Sequence, residues 1–328
     1  MTATTANANQ VASLGLTRPS RTLAQDAVER LLKNKAAIAG LVVVLLFVLM
    51  AVFANFISPK NPLAIHKGKN YYPAAWENKA EVGKKGTWEF VLGTDSVGRD
   101  VLSRTIYGAR VSIMVGFVPT IIIILIGATI GMISGYLGGN VDNILMRLTD
   151  IIYAFPDLLL FIIVMVSLRD TPIGQALNGL LLLFVIFAIV NWVGLARLVR
   201  GQVLSLKEKE FVEAARCVGA TDWHIMFRHI LPNCIGVIVV YAAFRIPGLI
   251  ITEAILGYLG VGLRPATDPN AIFITSWGSL LLDGQASLNA QPWMLLAPAI
   301  CVALIVMAFT FLGDGLRDAL DPRMRGTK

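Results

Sequence analysis

Lys207-Glu208-Lys209-Glu210-Phe211-Val212-Glu213-Ala214-Ala215-Arg216-Cys217-Val218-Gly219-Ala220-Thr221-Asp222-Trp223-His224-Ile225-Met226-Phe227-Arg228-His229-Ile230-Leu231-Pro232-Asn233 is a polar stretch between two apolar segments of membrane-crossing length. Phe211, Ala214, Ala215 and Val218 recur at helical spacing. Gly219 is placed to stop that helix. Thr221 or Asp222 can cap a second short helix whose face carries Trp223, Met226 and Phe227. Pro232 marks the start of the next apolar run. Two short helices joined at a glycine beside a membrane form a surface on which another protein can dock. An ordinary loop between two spans fits the pattern as well, because such loops are commonly rich in Lys and Arg.

Outward from this stretch the chain is apolar. Of its 328 residues, 56% are hydrophobic and only 15% charged, and mean hydropathy is +0.69. Soluble domains carry roughly 25% charge, so the composition predicts an all-α integral membrane protein. The net charge of +7 then bears on topology. No basic run interleaved with aromatics suggests nucleic-acid binding. Cys217, Cys234 and Cys301 lie far apart and read as small hydrophobes. His66, His224 and His229 are scattered and define no metal site.

A span needs about 20 mostly apolar residues. Six segments qualify: Ala36 to Ile57, Val111 to Leu137, Leu145 to Leu168, Gly174 to Ala196, Asn233 to Leu256 and Pro292 to Leu312. The first starts too late and runs too long for a cleavable signal, whose apolar core is roughly 7–15 residues. Basic residues cluster before the first span (Arg30, Lys33, Lys35), between the fourth and fifth (Arg197, Arg200, Lys207, Lys209, Arg216, Arg228) and after the sixth (Arg317, Arg323, Arg325, Lys328). An even number of spans puts all three clusters on one side, and the positive-inside rule makes that side the cytoplasm, with both termini. The resulting division is a cytoplasmic tail over 1–35, a first span over 36–57, an external segment over 58–110, a core over 111–312 that includes the polar loop 205–232, and a cytoplasmic tail over 313–328. Residues 1–20 read as disordered. Residues 22–35, with Leu23, Ala27, Leu31 and Leu32, read as an amphipathic helix on the inner membrane surface, in contact with lipid.

Three features inside this frame carry chemistry. Gly127, Gly131 and Gly135 repeat every fourth residue and line one face of the second span, where a neighbouring backbone can approach closely. Arg245 and Glu253 put charge inside the fifth span, where it usually faces a cavity or a partner. They are candidates for the substrate path, and a structural ion pair is the other reading. Asp95, Gly98, Arg99 and Asp100 form a polar cluster before the second span, suited to capping it or to touching an external protein.

The frame Glu213-Ala214-Ala215, three residues, Gly219, and then Leu231-Pro232 resembles the EAA loop of binding-protein-dependent ABC importer permeases. The general frame has Ile two places before the Leu, where this chain has His229. Arg228-His229-Ile230-Leu231-Pro232-Asn233 is similar instead to the dipeptide/oligopeptide/nickel subfamily. Leu92-Gly93-Thr94-Asp95-Ser96-Val97-Gly98-Arg99-Asp100-Val101-Leu102-Ser103-Arg104, Ala196-Arg197-Leu198-Val199-Arg200-Gly201 and the run from Leu312 to Arg323 also resemble that subfamily, the last its "C"-type subunit. The resemblance spans about Ala24 to Arg323. Its one departure is a longer link from Arg264 to Ser276.

The resemblance implies a type I ABC importer permease fold in a bacterial or archaeal cytoplasmic (inner) membrane. It implies three kinds of protein partner: a homologous second permease, two ATPase subunits and an extracytoplasmic substrate-binding protein. The coupling region would hold Phe211, Glu213, Ala214, Ala215, Gly219, Ala220, Thr221, Asp222, Trp223, Met226 and Phe227. The chain has no G-x-x-x-x-G-K-[ST] sequence, so it is expected to be non-catalytic and to bind no cofactor, with ATP and Mg held by the partner ATPases. Di- or oligopeptides are the expected cargo, with nickel, glutathione or another small solute as the alternative. A stand-alone secondary transporter or a membrane enzyme is the remote reading, the latter without G-x-S-x-G or H-E-x-x-H to support it.

Overall fold

A computed structural model describes residues 23–79, 84–264, 266, 268 and 271–320. The expected disorder over 1–20, the end of the C-terminal tail and part of the enlarged 264–276 link lie outside the described residues.

Asparagine opens the first long helix. After α1 (Leu23–Lys33), the Asn34 side chain accepts hydrogen bonds from Ala36 N at 3.1 Å and Ala37 N at 3.2 Å, and α2 (Lys35–Val52) follows. Such a cap satisfies backbone donors that the first helical turn leaves free. A short α3 (Ala54–Ile57) ends this run. The segment to Asp100 then folds outside the bundle around Phe90, which is fully buried. His66 and Tyr72 meet the Phe90 ring edge-on at 5.0 and 6.2 Å. A two-residue hairpin, β1 (Asn78–Lys79) with β2 (Lys84–Lys85), is its regular element.

The bundle proper begins with α4 (Val101–Leu137), whose 37 residues span roughly 55 Å at ~1.5 Å per residue. The hydrocarbon core of a bilayer is about 30 Å thick, so α4 projects beyond it. The second span was expected from Val111. The helix starts ten residues earlier because Asp100 caps it, and Gly108 and Arg110 lie on it.

The third span, expected as one helix over Leu145 to Leu168, is broken. α5 (Gly139–Tyr153) and α6 (Asp157–Ser167) meet at 77°. Pro156 disfavours a helical conformation at Phe155 and lacks the N–H needed to continue the ladder. A second interruption delays the fourth span. α7 (Pro172–Gln175) leads into a 3-10 turn over Ala176–Gly179 in which Leu177, Asn178 and Gly179 all have positive φ. The long helix α8 (Leu180–Leu206) therefore starts later and ends later than the expected Gly174 to Ala196.

α9 (Glu210–Cys217) and α10 (Asp222–His224) follow. A π-helical turn over Ile225–Ile230 joins α10 to α11 (Leu231–Tyr258) without a break. α12 (Trp277–Ala286) is capped by Ser276, and α13 (Trp293–Leu320) closes the chain. Residues 313–320, expected in a tail, are helical. Five of these runs are long and apolar enough to cross a membrane, and the bent pair α5–α6 makes a sixth.

The main core lies between α4 and α8. The three glycines of α4 are the reason the two helices can touch. A Cβ at Gly127 would sit 2.9 Å from Leu195 Cβ, one at Gly131 2.9 Å from Val199 Cβ, and one at Gly135 2.9 Å from Val203 Cβ. Without a hydrophobic drive between helices in lipid, close van der Waals approach of this kind holds a bundle together. A second core packs α2 and α13 on α4 around the fully buried Trp277. At one end of the bundle sit the 58–100 segment and α12. At the other sit residues 207–230, α1 and the end of α13, where Leu31 and Ala37 close on Gly315.

Candidate functional site

The polar stretch folds as two helical arms on a tight glycine corner. α9 ends in a pair of bonds that wrap its last turn, from Gly219 N to Arg216 O at 2.9 Å and from Ala220 N to Ala215 O at 3.0 Å. Gly219 has φ +83°, the left-handed setting this closure requires and one that costs a residue with a Cβ roughly 1–2 kcal/mol. Of the two capping candidates, Thr221 accepts the His224 N–H at 3.4 Å. Asp222 instead accepts the hydroxyl hydrogen of Tyr136, on α4, at 2.8 Å.

The buried face of the first arm is Val212 with Ala215, whereas Phe211, Glu213, Ala214 and Val218 are exposed. The expected stripe was thus rotated by one position. Met226 also departs from expectation. It was grouped with Trp223 and Phe227 as an anchor for a partner, yet it is buried with Ile225 and Ile230 in the main core. The wide π turn aims those three residues inward together. Trp223 and Phe227 stay exposed at 60% and 51%, with rings stacked 5.6 Å apart and 13° from parallel. No second short helix stands apart at Pro232, because the arm runs straight into α11.

Charged pairs brace this end. Asp142 on α5 takes both Nε and a terminal N–H of Arg200 on α8, at 2.6 and 2.5 Å, and the Ser134 hydroxyl of α4. Asp150 accepts from Arg197 at 2.8 Å, whose guanidinium lies 4.7 Å from the Tyr153 ring centroid. The loop is therefore fixed to α4 through Tyr136 and α4 to α8 through Asp142.

At the opposite end, Asp95 and Asp100 organise the start of α4. Asp95 is 1% exposed. Its Oδ1 accepts from Val97 N and Arg99 N at 3.0 and 2.9 Å, and its Oδ2 from Arg99 Nε at 2.7 Å and Arg104 at 2.9 Å. Gly98, at φ +90°, passes so close to His66 O that a Cβ would lie 2.5 Å from it. Asp100 Oδ2 accepts from Ser103 N at 2.7 Å and from its hydroxyl at 2.6 Å. Burial pushes the Asp100 carboxyl above the usual carboxylate range.

The two charges inside the fifth span are not brought together. Glu253 is fully buried, with Oε2 accepting from the Ser112 hydroxyl at 3.1 Å and Oε1 unpartnered. α12 seals it, since a Cβ at Gly278 would lie 2.9 Å from the Glu253 carbonyl and one at Gly257 2.6 Å from Gly278. Glu253 therefore faces no open path in this conformation. Arg245 is half-buried, and its Nε has no hydrogen-bond partner.

The sequence that folds into this glycine-cornered pair of arms and the bundle around it matches a known family. The family of binding-protein-dependent transport system inner membrane components matches residues 127–326, from the glycine face of α4 through both arms. The chain belongs to this family. The N-terminal transmembrane domain of oligopeptide transport permease C matches residues 22–75, which covers α1, α2, α3 and the start of the 58–100 segment. Among curated proteins, the chain is 40% identical over 305 residues to the oligopeptide transport system permease protein OppC of Haemophilus influenzae, covering 93% of this chain and 90% of that one. It is 38% identical to OppC of Bacillus subtilis, over 94% and 93%. It is also 38% identical to the dipeptide transport system permease protein DppC of the same organism, over 94% and 88%.

As a family member this chain carries residues whose structural roles the sequence did not reveal. Tyr136, Asp142 and Arg200 secure the arms, and Arg104 joins Asp95 to Asp283 of α12 at 2.9 Å on each side. Their partners lie far away in sequence, so no local pattern marks them. Trp277 is another. It is fully buried, and its ring N–H donates to the Thr105 carbonyl at 3.0 Å.

Proposed function

We propose that this chain is one of two permease subunits of an ATP-driven importer of di- or oligopeptides, and that the two arms over 205–232 receive force from cytoplasmic ATPases. The observation that carries the reading is the exposed Trp223–Phe227 stack on an arm continuous with α11. A continuous helix passes a push on the arm directly into a membrane span as rigid-body motion. Exposed aromatics are the residue type that most often anchors an interface. Phe211, Glu213, Ala214, Ala220 and Thr221 complete the docking surface around Gly219, while Ala215 and Met226 hold it on the bundle.

ATP and Mg belong to the partner ATPases in this reading, and the chain itself is non-catalytic. The arms, α1 and the end of α13 face the cytoplasm, consistent with the basic clusters there. The 58–100 segment and α12 face outward, toward the substrate-binding protein and beside the second permease. Peptide cargo is supported by relatives named for oligopeptide and dipeptide transport. In the assembled transporter, Gly219→Asp and Trp223→Ala should leave the spans inserted while ATP hydrolysis no longer drives uptake. Uptake per ATP equal to wild type in both variants refutes the coupling role. Co-purification with a second permease and two ATPases, and peptide uptake by the reconstituted complex, test the rest.

A further inference from the structure

We propose that the outer end of the bundle contains a carboxylate-binding pocket, formed by Arg99, Arg169 and Arg264, whose occupant is the terminal carboxylate of a short peptide. The occupant rests on the peptide reading above. The pocket rests on geometry. A cavity of about 260 Å3 lies among the start of α4, the link after α6, the end of α11 and α12. Four guanidiniums line it, those of Arg99, Arg104, Arg169 and Arg264, with Asp283 as the carboxylate in its wall.

These cations are unequally satisfied. Arg104 is paired twice, with one terminal nitrogen on Asp95 and the other on Asp283, each at 2.9 Å. Arg99 gives its Nε to Asp95 at 2.7 Å. Arg264 places one terminal nitrogen on Asp170 at 2.7 Å and on the Arg169 carbonyl, yet its Nε is buried without a hydrogen-bond partner. Arg169 has no carboxylate within ion-pair distance among the described residues. Its guanidinium reaches the Gly260 carbonyl, at 3.4 Å. Around the cavity, four guanidiniums therefore meet three carboxylates, Asp95, Asp170 and Asp283. Among the described residues Arg169 joins none of these pairs and the buried Nε of Arg264 makes no bond, and an unmade bond on a buried charged group is costly.

A carboxylate supplies what is missing. Its two oxygens match the planar fork of a guanidinium, and it gives Arg169 an anionic partner. Hydroxyls of Thr275 and Ser279, beside the capped start of α12, line the same cavity, and Leu263 and Leu282 give it an apolar wall. That combination suits a carboxylate on a short, partly apolar stem. The volume is close to the lower end of small-molecule pockets, roughly 300 Å3. It admits one end of a peptide, and a cavity of this size does not admit the broad face of a protein. Arg169 and Arg264 stand on the links flanking α7 and ending α11, so an occupant would join two parts of the outer end.

The test uses the assembled transporter in nanodiscs without its binding protein, and tritiated Ala-Phe as either the free acid or the C-terminal amide. Wild type should bind the acid saturably and the amide at least tenfold more weakly. Arg169→Gln, which breaks no ion pair, and Arg264→Gln should each weaken acid binding about tenfold, erase the difference from the amide and leave the melting temperature unchanged. Equal binding of acid and amide by wild type overturns the pocket, as does wild-type acid binding in both variants. Variants that keep peptide binding but lose affinity for the binding protein also overturn it, because the arginines then serve a protein carboxylate. Uptake of Ala-Phe by proteoliposomes with the binding protein judges the peptide reading separately. Uptake without acid-selective binding removes the pocket alone, whereas neither uptake nor binding removes both.

Discussion

Asp100 does two things that pull against each other. It caps α4 through Ser103, and it is buried deeply enough that its carboxyl sits above the usual range. The cap needs an acceptor oxygen and not a charge. A group whose folded-state pKa is raised binds its proton more tightly in the folded protein. Its contribution is fully present below the unfolded value of about 4 and is lost as pH rises through the folded value. Asp100→Asn keeps the acceptor and removes the charge. It should therefore raise the melting temperature at pH 7, and the gain should shrink as pH is lowered toward 4. Asp100→Ala loses the cap, at a cost of about 1 kcal/mol, and also removes the buried charge, so its net cost should be smaller at pH 7 than near pH 4. A thermal unfolding series over pH 4–8 in detergent compares the three proteins, and an Asn variant less stable than wild type at pH 7 would contradict the account.

Helix contact decides the next scale. The glycine face of α4 was legible because spacing of four is a property of one segment, and the structure shows which helix it meets. At Gly131, a Cβ would lie 2.9 Å from Val199 Cβ, 3.1 Å from Arg200 N and closer still to the Ala196 carbonyl. Backbone atoms cannot move aside as a flexible side chain can. Gly131→Val should cost about 1–3 kcal/mol, the usual range for overpacking, and lower the melting temperature measured by intrinsic fluorescence. Gly201→Ala on α8 is the control. Nothing lies within 4 Å of its Cβ position, so helix propensity predicts a neutral or stabilising change. What the sequence hid at this scale were interruptions. Pro156 was visible, but a mostly apolar run from Leu145 to Leu168, interrupted by Arg147, Asp150 and Asp157, outweighed it in choosing the third span. Asn178-Gly179 is a turn signal, but the apolar residues around it outweighed it, and the positive φ at Leu177 carries no residue signature. The π turn at Ile225–Ile230 is a matter of register, and it moved Met226 from the docking face to the core.

Across the whole molecule, legibility followed distance along the chain. Spans, the glycine corner and the caps are written in neighbouring residues and could be read. Sealing of Glu253 by α12, the Arg104 bridge and the brace on the arms join residues far apart, so they emerge only in the fold. The brace has a consequence for transport. If the arms drive only α11, the rest of the bundle should be indifferent to the Tyr136–Asp222 bond. If the bundle moves as one body, that bond carries part of the motion into α4 and, through Gly127, Gly131 and Gly135, into α8. Tyr136→Phe separates these cases, since it removes the hydroxyl donor at 2.8 Å and keeps the ring beneath Arg216. A hydrogen bond of this kind is worth about 1 kcal/mol, so uptake per ATP hydrolysed should fall ~fivefold if the bond transmits the full stroke. Asp222→Asn retains an acceptor oxygen for Tyr136 and should lose less. Uptake and hydrolysis are measured together in proteoliposomes, with ATPase affinity measured alongside. A drop in affinity with an unchanged ratio of uptake to ATP would assign the bond to holding the arm for docking, and the one-body stroke would then be wrong.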